Sequence, residues 1–129
     1  MIDVVAAVIE SEGKYLIARR AVHKAQGGKW EFPGGKVEEN ESFEDALARE
    51  FMEEFGVKLS VDGVLLTAQH NYPDIEINLV AMSARTEETI TSSTDHDRIE
   101  WVDLDELSGY PLSDADLAVL HYLRSGRPA

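Results

Sequence analysis

Three glutamates, Glu50, Glu53 and Glu54, stand within one five-residue stretch, beside Arg49 and downstream of Glu41 and the glycine pair Gly34-Gly35. On an α-helix, spacings of three and four place the three carboxylates on one face. Carboxylates so close repel one another and resist desolvation at the edge of a core. A hard divalent cation removes both objections, and oxygen donors of this kind suit Mg²⁺ or Mn²⁺ rather than zinc. The chemistry such a set supports is metal-assisted activation of a water, with a carboxylate in reach of that water to take its proton. The competing reading is a solvated acidic helix face, and the spacing described below argues against it.

These groups need a helix to hold them, and the sequence supplies one over 43–55. Ser42 can accept from the amide of Asp45 and Asp45 can answer it, which predicts the start. The stretch 43–55 has no Gly or Pro, and Gly56 suits a left-handed stop. Phe43, Ala46, Leu47, Phe51 and Phe55 recur at helical spacing and form the packed stripe. The carboxylates overlap the border of that stripe, at the line between core and solvent. Glu41, just before the helix, is an orienting partner or a charge favoured at the N-terminus.

The rest of the chain reads as strands and a second helix. Ile2 to Glu10 is β-branched and nearly continuous, a buried strand. Ser11-Glu12-Gly13-Lys14 turns it into a second strand, Tyr15 to Arg20. Ala21 to Lys29 is a polar loop. Trp30-Glu31-Phe32 is extended, and Pro33-Gly34-Gly35 predicts a turn. Val61 to His70 is a strand with a kink or bulge at Asp62-Gly63. Asn71 to Asp74 is a hairpin turn, and Ile75 to Ala84 the return strand. Arg85 to Asp97 reads as loop, Ile99 to Val102 as a short strand, and Asp103 to Leu107 as a helical turn capped by Asp103. Ser113 to Leu123 is a helix with Leu117, Leu120 and Leu123 at helical spacing, and Arg124 to Ala129 a frayed polar tail. Strands joined mainly by hairpins and interspersed with helices predict an α/β fold, a mixed β-sheet flanked by helices.

Composition narrows the function. The 129 residues suit a single domain, 1–129, and 43% hydrophobic with 29% charged residues is globular usage. No apolar run could span a bilayer, no basic-then-apolar leader is present, and there is no cysteine; the expected location is cytoplasmic. A net charge of −13 disfavours long nucleic acid and anionic membranes as partners. It leaves room for a small polyphosphate, because bound cations invert the local potential. His23, His70, His96 and His121 show no metal-ligand spacing and read as solvent-facing or loop histidines.

The pattern Gly35, Glu41, Arg49-Glu50, Glu53-Glu54, Gly56 resembles the signature of the Nudix hydrolases at every fixed position. The likeness extends over essentially the whole chain. Trp30 to Glu38 (WEFPGGKVE) is similar to the lead-in of the MutT-type subfamily. Val4 to Ile9, and Tyr110-Pro111-Leu112 with Ala115-Asp116, resemble its CTP pyrophosphohydrolase and 8-oxo-dGTP diphosphatase branch. The resemblance implies an α/β/α sandwich and a Mg²⁺- or Mn²⁺-dependent nucleoside triphosphate pyrophosphohydrolase. It would convert modified or oxidised nucleotides to the monophosphate and pyrophosphate, clearing the precursor pool as a monomer or homodimer. The alternatives are another nucleoside diphosphate derivative as substrate, such as a dinucleoside polyphosphate or a nucleotide sugar, or a catalytically silent nucleotide-binding module.

The same resemblance assigns roles. Glu50, Glu53 and Glu54 become metal ligands, joined by the carbonyl of Gly34 and by Asp95, with Asp97 as the substitute for the last. Glu50, Arg49 and Glu53 form the catalytic set, with Glu50 first choice for general base and Arg49 holding the carboxylates in place. Arg20 and Lys36 contact phosphate. Phe32 either stacks on the base or packs in the core, and Tyr72 is a second stacking ring. Asp114 stands where MutT-like enzymes that clear oxidised guanine place asparagine, with Asp116 two further on, and either contacts the base. An ionised aspartate there only accepts, which complements the amino group of cytosine.

Overall fold

Strand β1 (Ile2–Ser11) is buried on both faces, which explains its nearly continuous apolar run. Val5, Ala7 and Ile9 enter one core together with Ala46, Leu47, Phe51 and Phe55 of helix α1 (Phe43–Phe55). Ala6 and Val8 enter the other with Val119, Leu120 and Leu123 of the last helix. This computed structural model describes residues 1–24 and 27–125. Two residues of the polar loop expected over 21–29, and the end of the tail, 126–129, lie outside the described residues.

Seven strands form one mixed sheet, with the helices on its two faces as an α/β/α sandwich. β1 runs parallel to β6 (Ile75–Arg85), and β6 pairs antiparallel with β5 (Ser60–Tyr72). On its other edge β1 forks. Val4–Ala6 pair with β4 (Gly34–Lys36), whereas Glu10 and Ser11 pair with β2 (Lys14–Arg20). β2 is flanked by β3 (Trp30–Glu31) and β7 (His96–Val102). At the fork the Ala7 N–H donates to Pro33 O at 2.7 Å, so the peptide between β3 and β4 is tied directly to β1. Helices α2 (Leu104–Leu107) and α3 (Leu117–Arg124), with a single 3₁₀ turn at Asp114–Asp116, cover the second face.

Helix α1 starts and stops as its sequence predicts. Ser42 Oγ accepts from the Asp45 N–H at 3.1 Å, and Gly56, at φ +70°, closes the end with its N–H on Met52 O. Burying Phe51 alone contributes roughly 1.5–3 kcal/mol, and its ring stacks on Phe55 at 4.4 Å.

Several boundaries differ from expectation. The turn expected at Pro33-Gly34-Gly35 narrows to a bend at Pro33; Gly34 and Gly35 already begin β4, because β1 offers an unpaired edge. A β-carbon on Gly34 would overlap the Val5 carbonyl, so only glycine permits that pairing. β5 runs on to Tyr72, leaving Pro73-Asp74 as the turn, and its register shifts at Val61/Gly63, as expected near Asp62-Gly63, and again at Val64/Leu66. β7 begins at His96 rather than Ile99. The last helix is preceded by the 3₁₀ turn, and Leu117 stays exposed while Val119 is buried. Asp103 caps α2 through a reciprocal pair with Glu106.

Candidate active site

Where β1 forks, a cavity of about 710 Å³ opens between β1, β4, α1, β6 and the 3₁₀ turn, within the range of small-molecule sites. One end is acidic, with Glu50, Glu54, Asp95, Gly34 and Gly35. The other is mainly apolar, with Ile77, Leu79, Phe32 and Tyr72, and carries Asp116. Arg20, Glu31 and Lys36 also line it.

At the acidic end α1 aims Glu54 inward, and the side chain is buried. Its Oε1 has no hydrogen-bond partner. Burial, the hydrogen bond to Glu50 and the nearby charges of Glu31 and Asp95 push its carboxyl up to about 10. Glu50 lies against Gly35, whose missing side chain leaves the room for its carboxyl. A buried, orphaned carboxylate oxygen beside a second carboxylate is what a hard divalent cation would satisfy. The donor set fits such an ion.

Arg49 organises the rim. Nε and Nη2 donate to Glu41 Oε2 and Oε1 at 2.7 and 3.0 Å, and Nη2 also reaches Lys36 O at 3.0 Å. Nη1 donates to Glu50 Oε1 at 3.0 Å and to both Glu53 oxygens at 3.3 Å. The bidentate fork therefore goes to Glu41 rather than to Glu53, and Glu41 is an orienting partner held ionised by Arg49 and the Glu38 amide. Glu53 stands apart from Glu50 and Glu54. Its side chain is 59% exposed, turned to Arg49 and absent from the cavity lining. Among the described residues, as the side chains stand, no three acidic or histidine groups encircle a common point. The reason is electrostatic: Arg49 gives Glu53 a better partner than two more carboxylates.

Asp95 lines the cavity and pairs with Lys24 at 3.6 Å, whereas its substitute Asp97 is committed to Arg19 at 2.7 Å and does not. Phe32 is a core residue with one edge in the cavity. Asp116 is buried, and its Oδ2 accepts from the Phe32 N–H at 3.2 Å. Burial and the charge of Glu31 push its carboxyl well above the usual range. Asp114 is 60% exposed, 4.0 Å from His70 Nε2 and outside the lining. Tyr72 lines the cavity, and its hydroxyl accepts from the Ala115 N–H at 3.2 Å, fixing the turn that carries Asp116.

Two residues at or behind the cavity wall escape the sequence reading. Glu31 lines the cavity between its two ends, with Arg20 Nη1 at 3.5 Å and His96 Nε2 at 2.8 Å. The available signal was a glutamate between two large aromatics of one extended segment, an unusual place for a charge without a partner. His96 overturns the expectation of a solvent-facing or loop histidine. It opens β7, its ring is 0% exposed, and it stacks on Phe55 at 5.5 Å. Nothing local in the sequence marks it, because its partners lie far away in the chain.

Comparison with known proteins agrees with this geometry. The NUDIX domain family model matches residues 4–122. The CTP pyrophosphohydrolase of Escherichia coli (strain K12) is 39% identical over 132 residues, covering 100% of this chain and 98% of that protein. The 8-oxo-dGTP diphosphatase of Proteus vulgaris is 42% identical over 79 residues, covering 60% of this chain and 70% of that protein. Among solved structures, the MutT protein from Methanosarcina mazei Go1 superimposes with a TM-score of 0.87 at 25% identity, over 98% of this chain and 96% of that one.

Proposed function

This chain belongs to the NUDIX domain family and is a Nudix hydrolase acting as a nucleotide pyrophosphohydrolase; on that premise we propose that its reaction is the Mg²⁺-dependent cleavage of nucleoside triphosphates to the monophosphate and pyrophosphate. The observation that carries the reading is the cavity itself. A buried, unpartnered Glu54 oxygen beside Glu50 lies at one end, and the buried Asp116 carboxyl with the Phe32 edge at the other.

Glu50 and Glu54, with the Gly34 carbonyl, would hold the cation; Asp95 stands at the edge of that group and Glu53 outermost. Mg²⁺ or Mn²⁺, when bound, supplies charge neutralisation on the phosphates and a more acidic water. Glu50 takes the proton as the water oxygen bonds to phosphorus and the anhydride bond breaks, so pyrophosphate leaves without a covalent enzyme intermediate. Arg49, clamped by Glu41, holds Glu50 in place. Arg20 and Lys36 meet the phosphate chain. Asp116 lines the cavity beside the Phe32 edge, where a carboxyl oxygen accepts from the amino group of cytosine. The substrates this favours are CTP and dCTP derivatives, with 8-oxo-dGTP second. We place the enzyme in the cytoplasm, as a monomer or homodimer, clearing altered nucleotides from the precursor pool. No described helix is long and apolar enough to cross a membrane.

The test is pyrophosphate release with Mg²⁺ across CTP, dCTP, 5-methyl-dCTP, dGTP, 8-oxo-dGTP, a nucleotide sugar and a dinucleoside polyphosphate. Highest kcat/KM is expected for a cytosine nucleotide. Tight binding without turnover on any of them would make the chain a silent nucleotide-binding module instead.

A further inference from the structure

We propose that His96 is a positioning residue: its Nε2 holds the Glu31 carboxylate in the cavity, and Ser93 sets the ring so that this nitrogen faces Glu31. The proposal rests on reading the cavity as the nucleotide site.

The contacts form a directed chain. Ser93 Oγ accepts from the Asp95 N–H at 3.2 Å and contacts His96 Nδ1 at 2.7 Å; His96 Nε2 contacts Glu31 Oε2 at 2.8 Å. An ionised carboxylate only accepts, so Nε2 carries the proton. With the ring neutral, Nδ1 is the acceptor and the Ser93 hydroxyl donates to it. Every donor meets an acceptor in one direction, from the Asp95 amide to Glu31. Glu54 Oε1 lies 3.9 Å from Nδ1, beyond hydrogen-bond reach, because Ser93 already occupies that nitrogen. The clasp therefore orients Glu31 without consuming Glu54.

The ring has no freedom to do otherwise, since it is wholly buried and stacked on Phe55 of α1. Arg20 Nη1 lies 3.5 Å from the same oxygen of Glu31, Oε2, which leaves Oε1 as the atom through which Glu31 meets a bound molecule. Glu31 lines the same cavity as Glu54 and Asp116. One residue thus couples the loop that carries Asp95 to a carboxylate lining the cavity.

The experiment compares His96→Gln with His96→Asn. The glutamine amide reaches the place of Nε2 and can still donate to Glu31; the asparagine amide reaches only the place of Nδ1. His96→Asn should raise KM about tenfold with kcat changed less than about threefold, the scale of one hydrogen bond to a charged group. His96→Gln should stay within about threefold of the parent. In a Glu31→Gln background His96→Asn should add no further rise in KM. Equal KM for the two variants, or an undiminished effect of His96→Asn in that background, overturns the proposal. Ring-nitrogen NMR of the parent protein provides a readout that needs neither folding of a variant nor turnover. The Nε2–H form is expected, and an Nδ1–H form would sink the idea. Should the parent hydrolyse no nucleotide, the proposed function fails while the ring measurement still decides this point.

Discussion

Gly35 and Glu50 are in contact across the junction of β4 and α1: a β-carbon on Gly35 would occupy the space of the Glu50 carboxyl. At Gly34 the same addition would overlap the backbone of Val5 and Ala6. The two glycines are adjacent, yet one makes room for a flexible side chain and the other for a strand.

Gly35→Ala should therefore keep the fold and displace Glu50. We expect kcat to fall at least about tenfold with unfolding free energy within about 1 kcal/mol of the parent. Gly34→Ala should lose more than about 2 kcal/mol, because backbone cannot yield as a carboxyl can. Urea titrations and initial rates on both variants check this. A Gly35→Ala enzyme with parental turnover would show that Glu50 need not stand where it does.

Glu50→Gln keeps shape and loses the proton acceptor. Turnover is expected to drop at least about 10²-fold, the usual scale of acid–base assistance, with the circular dichroism spectrum unchanged. Near-normal kcat in that variant removes Glu50 from the mechanism.

Glu54 links metal to stability. Its folded-state carboxyl titrates near 10 against an ordinary value of 4.5, so between those values the folded state holds a proton that the unfolded chain has released. Stability of the metal-free protein should fall as pH rises through that window, by up to about 1.4 kcal/mol per unit. A cation that binds only the folded, ionised form opposes the loss. Millimolar Mg²⁺ or Mn²⁺ should raise the thermal midpoint beyond NaCl at matched ionic strength, and more at pH 8 than at pH 6. Equal shifts from NaCl would reduce the carboxylates to a screened surface cluster.

Asp116 and Asp114 should part company. Asp116 is buried with its carboxyl pushed up, so it adds to the same loss of stability above the ordinary aspartate range. Asp116→Asn removes that titration and should flatten the pH profile while changing the order of kcat/KM among CTP, dCTP, 5-methyl-dCTP, dGTP and 8-oxo-dGTP. Asp114→Asn, on an exposed side chain, should do neither. An unchanged order in Asp116→Asn would show that this residue does not read the base.

The sequence by itself determined what local rules govern. Helix α1 was legible from Ser42, its apolar spacing and Gly56, because caps and periodicity act over a few residues. β1 announced itself by an apolar run that only a strand covered on both faces needs. The family, and with it the fold, followed from the spacing of Gly35, Glu41, Arg49, Glu50, Glu53, Glu54 and Gly56. Tertiary structure alone decided which of these side chains enter the cavity. Glu53 and Glu54 are neighbours in sequence, yet one is claimed by Arg49 at the rim and the other is buried with its Oε1 unpartnered. Asp114 and Asp116 were equivalent until the Phe32 amide, 84 residues from Asp116, drew one of them inside. His96 had no local signature at all, since its place depends on Glu31, 65 residues distant. Helix caps and apolar stripes are written in neighbours along the chain, whereas the competition of carboxylates for one guanidinium, one amide and one buried ring is settled only when distant segments meet.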